Sequence, residues 1–268
     1  MGSVCYRALA VVSVLVFMGT GCMVPSMGLP PASSTTSSAS SSVTTWSSRT
    51  VGIDRLQVAF SSSTASTIVV YRFALDAYTF GFEHATAAAA VSEWLARDSS
   101  AVFIANGLYF HEDYLPSGWF KTDGKIVGKR SFDRDKSALL ELAPNVGIYL
   151  MPAEISKHMS SSREAAQSFP VLLSDGRAAV KEESGKVARR TFVGTDKHHK
   201  FLYVGVVPYA GISLFELSRA LTKLPVQWDV VLNLDGGPSS GMAFRDVSQP
   251  ELIDSYVTVP NVLVVRRK

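Results

Sequence analysis

A run of hydroxyl side chains divides the sequence into a part that cannot build a core and a part that can. Fourteen of the 18 residues from Ser33 to Thr50 are Ser or Thr, and three prolines lie just before them. Such a stretch has too little apolar surface to offset the entropy lost on ordering. We therefore expect a flexible linker over residues 22–50, with folded structure beginning near Gly52 and one domain at 51–268.

A short apolar run precedes this linker. Arg7 is followed by the mainly apolar segment Ala8–Met18, which is shorter than the roughly 20 residues that a membrane-spanning helix needs. It has the length of a secretory signal core. The small residues before Cys22 resemble a bacterial lipobox, in which cleavage leaves a lipid-modified cysteine at the new N-terminus. We expect residues 1–21 to be a signal peptide and Cys22 to anchor an exported lipoprotein to the bacterial cell envelope. An ordinary cleaved signal is the alternative.

Cysteine and charge usage exclude several classes of protein. Both cysteines, Cys5 and Cys22, lie at or before the linker, so the rest of the chain has neither disulfides nor cysteine-based zinc sites. The first 50 residues hold two bases and no acid, which leaves 24 bases and 23 acids over 51–268. A nearly neutral domain has no electrostatic basis for binding nucleic acid.

Short runs of β-branched and aromatic residues indicate many strands. The predicted strands are Leu56–Phe60, Ile68–Phe73, Thr79–Phe82, Ala101–Ala105, Phe201–Val207, Val230–Leu234 and Val257–Val265. The dipeptides Asp123-Gly124 and Asp175-Gly176 lie between apolar runs and predict hairpin turns.

Two segments have helical periodicity. Ala85–Arg97 is rich in alanine, and Ser213–Leu224 has a leucine stripe with a capping box formed by Ser213 and Glu216. Many strands with few helices predict an α+β fold, in which a mixed β-sheet core is flanked by helices within a single domain.

Polar residues of types that are common in active sites follow two predicted strands. Asn106 and Gly107 end one strand, and Asp235 follows another, with two glycines and two serines behind it. A carboxylate, backbone N–H groups and hydroxyls can converge there on an anion or a sugar. Arg190 supplies a guanidinium between the two motifs. Taken singly, these features are also typical of a loop, a turn and a solvated face.

In order along the chain, these segments resemble the phosphodiester glycosidase family over roughly residues 100–265. The segments that carry the resemblance are Asn106-Gly-x-Tyr-Phe110, Ser117-Gly118 with the Asp123-Gly124 turn, Gln167-Ser-Phe-Pro170, Arg190-Thr-x-x-Gly194 and Leu234-Asp-Gly-Gly-x-Ser-Ser240. The resemblance implies a hydrolase that cleaves a sugar-1-phosphodiester or a related glycosidic bond. Its substrate would be a carbohydrate or sugar phosphate.

The resemblance also implies roles for individual residues. Asp235 would stabilise the oxocarbenium-like transition state, and Arg190 would clamp the phosphate. Asn106 is the third catalytic candidate. The candidates for substrate binding are Gln167, Gly236, Gly237, Ser239, Ser240, Phe110 and Gly107.

Several alternatives remain open or are excluded at this level. A second catalytic carboxylate could be Glu112, Asp113, Asp123 or Asp196. The pattern Gly237–Gly241 fits a hydrolase nucleophile elbow, but no histidine follows it, as that fold requires. No motif predicts a metal or a cofactor. A non-catalytic envelope lipoprotein that binds glycan or a protein partner is the rival to an enzyme.

The lipobox interpretation predicts the distribution of a Cys22→Ser variant. Without the sulfur that carries the lipid, the variant should move from the membrane fraction to the soluble fraction on cell fractionation. Cys5→Ser is the control and should stay with the membrane. A Cys22→Ser protein as membrane-bound as the parent would contradict a lipid anchor.

Overall fold

The computed structural model describes residues 45–61 and 65–268. The predicted signal peptide, Cys22 and most of the predicted linker lie outside these residues. The strands are β1 (Ser47–Thr50), β2 (Ile53–Ser61), β3 (Ala65–Ala74), β4 (Tyr78–Ala89), β5 (Ala101–Asn106), β6 (Phe120–Thr122), β7 (Lys125–Val127), β8 (Ala138–Ala143), β9 (Gly147–Tyr149), β10 (Glu164–Ser168), β11 (Val171–Ser174), β12 (Arg177–Ala178), β13 (Ala188–Asp196), β14 (Phe201–Ile212), β15 (Trp228–Asn233), β16 (Met242–Phe244), β17 (Glu251–Ile253) and β18 (Val259–Arg267). The helices are α1 (Val91–Arg97), α2 (Pro152–Ser161) and α3 (Leu214–Leu221), with a 3-10 turn at Gly237–Ser239.

The described part is mainly β-structure in three sheets. The first sheet has eight strands in the order β1-β2-β3-β14-β13-β15-β11-β12. The second has the order β7-β6-β10-β8-β9, and the third β17-β16-β5-β18-β4. Every strand pairing is antiparallel.

The expected α+β fold with a mixed sheet flanked by helices is therefore wrong. Many strands that are neighbours in sequence are joined by short turns, and a short turn can connect only antiparallel strands. The helices are short, and each packs on one sheet. They do not form a separate layer.

The predicted helix Ala85–Arg97 is wrong in its first half. β4 continues to Ala89, and the helix begins at Val91. β18 pairs along β4 from Arg267 opposite Tyr78 to Val259 opposite Ala89. The ladder with this long partner strand outweighs the helix propensity of the alanines, which is a weak local preference.

Folded structure also begins earlier than the expected Gly52. β1 lies in the Ser/Thr-rich stretch and pairs with β2, with Ser47 opposite Arg55. The Trp46 ring lies 5.9 Å from the Tyr203 ring and 4.5 Å from the Arg72 guanidinium. One aromatic side chain and one partner strand thus order the end of a stretch whose composition is otherwise that of a linker.

Both predicted hairpin turns are confirmed. Asp123 and Gly124 have φ of 49° and 72° between β6 and β7, and Asp175 and Gly176 have 51° and 72° between β11 and β12. Two successive positive φ angles are what a two-residue hairpin turn needs. The capped helix at Ser213 is also confirmed, since the Ser213 hydroxyl accepts from the Glu216 amide.

The main core lies between the three sheets, which contribute side chains such as Phe73, Phe103 and Phe120. Each helix covers another face of one sheet. α3 packs its leucines on the first sheet, α1 packs Trp94 on the third, and α2 packs Ile155 on the second. No helix in the described part is both long and apolar enough to cross a membrane.

Gly205 tests how tightly the first sheet is packed. It lies opposite Phe192, and a Cβ on Gly205 would come within 2.2 Å of the Phe192 ring. Gly205→Ala should lower the free energy of unfolding by about 1–3 kcal/mol because a buried ring must move. Urea denaturation measures this change.

Gly81→Ala is the matched control in another strand. Its added Cβ would have its nearest contacts at 3.6 Å, an ordinary van der Waals distance. Its free energy of unfolding should be unchanged or higher by up to about 1 kcal/mol. Equal losses in both variants would show that strand backbone effects, and not the Phe192 contact, set the cost.

Candidate active site

Asp235 lies in the loop that follows β15. Its backbone N–H donates to the Gly107 carbonyl at 3.1 Å, which joins this loop to the loop after β5. Its side chain accepts from the Gly236 amide at 2.8 Å, and the Ser239 hydroxyl lies near enough to lower its pKa. Gly237, with φ of 62°, turns the chain so that the 3-10 turn brings Ser239 back to the carboxylate.

Burial raises the pKa of the Asp235 carboxyl above its usual range, although Ser239 and the Gly236 amide act in the opposite direction. The residue remains partly accessible to solvent. Asp235 is therefore a carboxylate that reaches solvent, with a hydrogen bond from the Gly236 amide that fixes its position and a basicity higher than that of a surface aspartate. These are properties of a group that stabilises positive charge or accepts a proton.

The Asn106 side chain is a buried bridge between three segments. Its Nδ2 donates to the Asp235 carbonyl at 2.9 Å. Its Oδ1 accepts from the Thr191 hydroxyl at 2.7 Å and from the Gly241 amide at 3.0 Å. Asn106 thus holds both ends of the Asp235 loop against β5 and β13.

Residue 107 must be a glycine because the Asn261 side chain comes very close to it, which the sequence did not reveal. A Cβ on Gly107 would lie 2.2 Å from Oδ1 of Asn261. Asn261 is buried on β18, and its side chain exchanges hydrogen bonds with the Leu108 backbone. Gly107 and Asn261 together fix the loop that carries Tyr109.

Arg190 approaches the same loop from β13. Its Nε donates to the Ile212 carbonyl at 3.0 Å, and one Nη donates to the Lys186 carbonyl at 2.6 Å. The other Nη lies 3.8 Å from where a Cβ on Gly236 would stand. Burial lowers the pKa of Arg190, and no carboxylate of the described residues is within ion-pair distance of it. The site therefore holds a fixed guanidinium whose charge is available to an anion.

Tyr109 lies within electrostatic reach of both Asp235 and Arg190. Burial, reinforced by the Asp235 carboxylate, raises the pKa of Tyr109 to about 12, while Arg190 acts against this rise. The Tyr109 hydroxyl accepts from Nδ2 of Asn233 at 2.6 Å, so its own proton is left for another acceptor. Tyr109 stood in a family motif without an assigned role, and nothing in the sequence indicated Asn233.

Gln167 is fixed entirely by backbone groups. Its Oε1 accepts from the amides of Asp133 and Trp119 at 2.9 and 3.3 Å. Its Nε2 donates to the carbonyls of Asp133 and Lys136 at 3.0 and 3.1 Å. Gln167 therefore holds the loop that places Lys136, whose Nζ lies 4.3 Å from the Phe169 ring centre. Phe169 in turn packs on Tyr109 at 5.0 Å.

Two other predicted binding residues have different surroundings. Phe110 is half-buried, packs on the α1 side of the third sheet and stacks on Tyr114 at 6.1 Å. The Ser240 hydroxyl is buried and has no hydrogen-bond partner in the described part of the chain.

The candidates for a second carboxylate are spread over the molecule. Asp123 pairs with Arg163 in a hairpin turn. Asp196 ends β13 and accepts from three backbone amides of the following turn, six residues and thus about 20 Å from Arg190. Glu112 and Asp113 are exposed beyond Phe110. None of the described residues forms a group of three or more potential metal ligands.

The raised pKa of Asp235 predicts a stability change in Asp235→Asn. A carboxyl with a raised pKa weakens folding above its folded-state pKa, and this effect disappears below its unfolded-state pKa. Asp235→Asn should therefore have a higher melting temperature than the parent at neutral pH, with the difference vanishing in acid. Thermal unfolding at several pH values measures this.

Asp246→Asn is a control of opposite sign. Hydrogen bonds from Ser248 and Gln249 lower the pKa of Asp246, so its replacement should not stabilise the fold at neutral pH. A loss of stability in Asp235→Asn at neutral pH would contradict the dominant role of burial at Asp235.

Comparison with known proteins places this geometry in a family. Residues 99–266 match the phosphodiester glycosidase family, and no curated protein sequence matches the chain. The structure is similar to the zebrafish N-acetylglucosamine-1-phosphodiester alpha-N-acetylglucosaminidase catalytic domain auto-inhibited by its pro-peptide, with a TM-score of 0.58, 17% identity and coverage of 81% of this chain and 82% of that one.

A hypothetical protein from Synechocystis is similar with a TM-score of 0.59, 16% identity and coverage of 82% of this chain and 63% of that one. At these identities the two structures support the fold. The family match spans more than half of the sequence and includes Asn106, Arg190 and Asp235. The chain belongs to the phosphodiester glycosidase family.

Proposed function

We propose that this protein hydrolyses a sugar-1-phosphodiester, or a closely related glycosidic bond, at Asp235. The observation that carries the proposal is the meeting of a half-buried carboxylate and an unpaired guanidinium around Gly236. The Asp235 carboxylate can stabilise positive charge on a sugar, and the Arg190 guanidinium can stabilise negative charge on a phosphate. The zebrafish protein is named for hydrolysis of this class of bond.

The reaction separates charge along one bond. As the bond between the anomeric carbon and the phosphate oxygen breaks, its electron pair goes to that oxygen. The anomeric carbon becomes oxocarbenium-like, and water then adds to it. Asp235 stabilises the positive carbon and can accept the proton of the water, which its raised pKa favours. Arg190 stabilises the charge that develops on the departing phosphate.

Tyr109 supplies a neutral hydrogen-bond donor beside these charges. Its raised pKa keeps the hydroxyl protonated at neutral pH, and Asn233 occupies its acceptor side. The proton can therefore point to an oxygen of the phosphate or the sugar. A phosphate is already a good leaving group, so a hydrogen bond from Tyr109 is sufficient and full proton transfer is unnecessary.

Asn106 and Gln167 support the site in this proposal and do not contact substrate. Asn106 uses Oδ1 and Nδ2 to hold the Asp235 loop. Gln167 uses both of its polar atoms on backbone groups. Gly236, Gly237 and Ser239 remain the loop residues beside the carboxylate.

The proposed setting is the bacterial cell envelope. An apolar segment of secretory length and the lipobox-like sequence before Cys22 support export and a lipid anchor. A substrate outside the cytoplasm, on a glycan or sugar phosphate of the envelope, is consistent with that setting. The linker would give the anchored domain reach from the membrane surface.

Asp235→Asn and Arg190→Lys test the proposed chemistry. Asp235→Asn should lower kcat by about a thousandfold or more, because it removes the charge that stabilises the transition state. Arg190→Lys should lower kcat by about a hundredfold, because lysine lacks the planar fork. Release of free sugar from a 4-nitrophenyl sugar-1-phosphodiester measures both rates.

Arg177→Lys is the matched control, since Arg177 is exposed on β12, and it should keep the parental rate. Unchanged kinetics in Asp235→Asn would remove Asp235 from the chemistry. Retained glycan binding without turnover by the parent on a panel of sugar phosphodiesters would favour the non-catalytic alternative.

A further inference from the structure

Arg189, the neighbour of Arg190, is a buried cation with few hydrogen bonds to offset the cost of its burial. Only 9% of the residue is exposed. One Nη donates to the Asp254 carbonyl at 2.9 Å, while Nε and the other Nη have no partner among the described residues. The Asp254 carboxylate is itself held by Ser92 and Ser255. Burial of unpaired guanidinium N–H groups is costly, so Arg189 is suited to bind an anion.

Two exposed tyrosines border this arginine. The Tyr256 ring covers the guanidinium, with the Arg189 Cζ 3.9 Å from the ring centre, and Tyr256 is 69% exposed. Tyr209 is 64% exposed, and its hydroxyl lies within electrostatic reach of Arg189. Aromatic rings that remain exposed beside a buried cation are suited to stacking on a ligand.

An irregularity in the first sheet places Tyr209 there. On β13 and β14, Ala188 lies opposite Ile212 and Arg190 lies opposite Val207. One residue, Arg189, therefore faces the four residues 208–211. This bulge is the kind of feature that redirects a side chain next to a functional site.

The Arg189 cluster, formed by Arg189, Tyr209 and Tyr256, adjoins the Asp235 loop. The Arg189 carbonyl lies 3.1 Å from where a Cβ on Gly236 would stand. The Tyr256 amide donates to the Pro238 carbonyl at 2.7 Å. The loop thus has Arg190 beside Gly236 and is joined to the Arg189 cluster at Pro238.

We propose that the Arg189 cluster is a second subsite, which binds an anionic sugar on the part of the substrate beyond the scissile phosphate. This inference rests on the proposed function, because it extends the same substrate across the Asp235 loop. The tyrosine rings stack on the apolar face of the sugar ring. The free N–H groups of Arg189 bind the phosphate or carboxylate that the sugar carries.

Binding requires a movement of Tyr256. Its ring covers the Arg189 guanidinium in the structure, and a cation–π contact stabilises the covered state. Because the ring is largely exposed, its rotation breaks few contacts. An anion then replaces the ring over the guanidinium, while the displaced ring becomes one wall of the sugar subsite.

Calorimetric titration of the full chain carrying Asp235→Asn tests this subsite without turnover. The probe is glucose 6-phosphate, and glucose is the neutral comparison. The phosphorylated sugar should bind at least about tenfold more tightly, as expected for charge-assisted hydrogen bonds. Adding Arg189→Gln should lower this preference by about fivefold or more and leave only what the Arg190 clamp contributes, and adding Tyr256→Ala should weaken binding by about fivefold or more. Tyr256→Phe keeps the ring and should bind like its parent.

Two further variants separate this subsite from the phosphate clamp. Arg190→Gln should lose only the contribution of the clamp and keep a preference for glucose 6-phosphate that adding Arg189→Gln abolishes, and the exposed Arg177→Gln should have no effect. Loss of the preference in Arg190→Gln together with its retention in Arg189→Gln would overturn the proposal. Equal affinity for both sugars in the parent would also overturn it. Because binding is measured without hydrolysis, a failure of the proposed reaction on other substrates leaves this result unchanged.

Discussion

The buried amide of Asn106 is the interaction on which the arrangement of the site depends. Through three hydrogen bonds it joins the end of β5 in the third sheet to Thr191 in the first sheet and to both ends of the Asp235 loop. Such a buried network holds its geometry because leaving any member unpaired is costly. The loop that carries the carboxylate is therefore fixed on its buried side by Asn106, and its exposed side remains open to a ligand.

Uncompensated charge is the second constraint. Arg189 is buried and Arg190 partly buried, and both donate to backbone carbonyls, while burial makes the Asp235 carboxyl easier to protonate. A chain selected for stability alone would pair or remove these charges. The core between the three sheets offsets their cost, and these three groups adjoin the loop at residues 235–240. Negative charge in a substrate would relieve the arginines.

The sequence predicted those site residues that stand in recognisable motifs. Asp235 and Arg190, which each stand in a distinctive motif, do meet around Gly236. Gln167 also stood in a motif, yet its amide is used on the loop that places Lys136. A motif does not distinguish contact with a substrate from support of a loop, because that depends on which atoms lie opposite the side chain.

The sequence alone determined the strand-rich character, both hairpin turns and the capped helix, because turn geometry and capping depend on neighbouring residues. It also singled out the loops that hold Gly107 and Asp235. Only the tertiary structure decided that the sheets are antiparallel, that Ala85–Ala89 form strand and that Trp46 and β1 belong to the folded part. It also brought the Asn261 side chain against Gly107 and the Tyr256 ring over Arg189. These outcomes depend on partners far away in the chain, and local propensity carries no information about them.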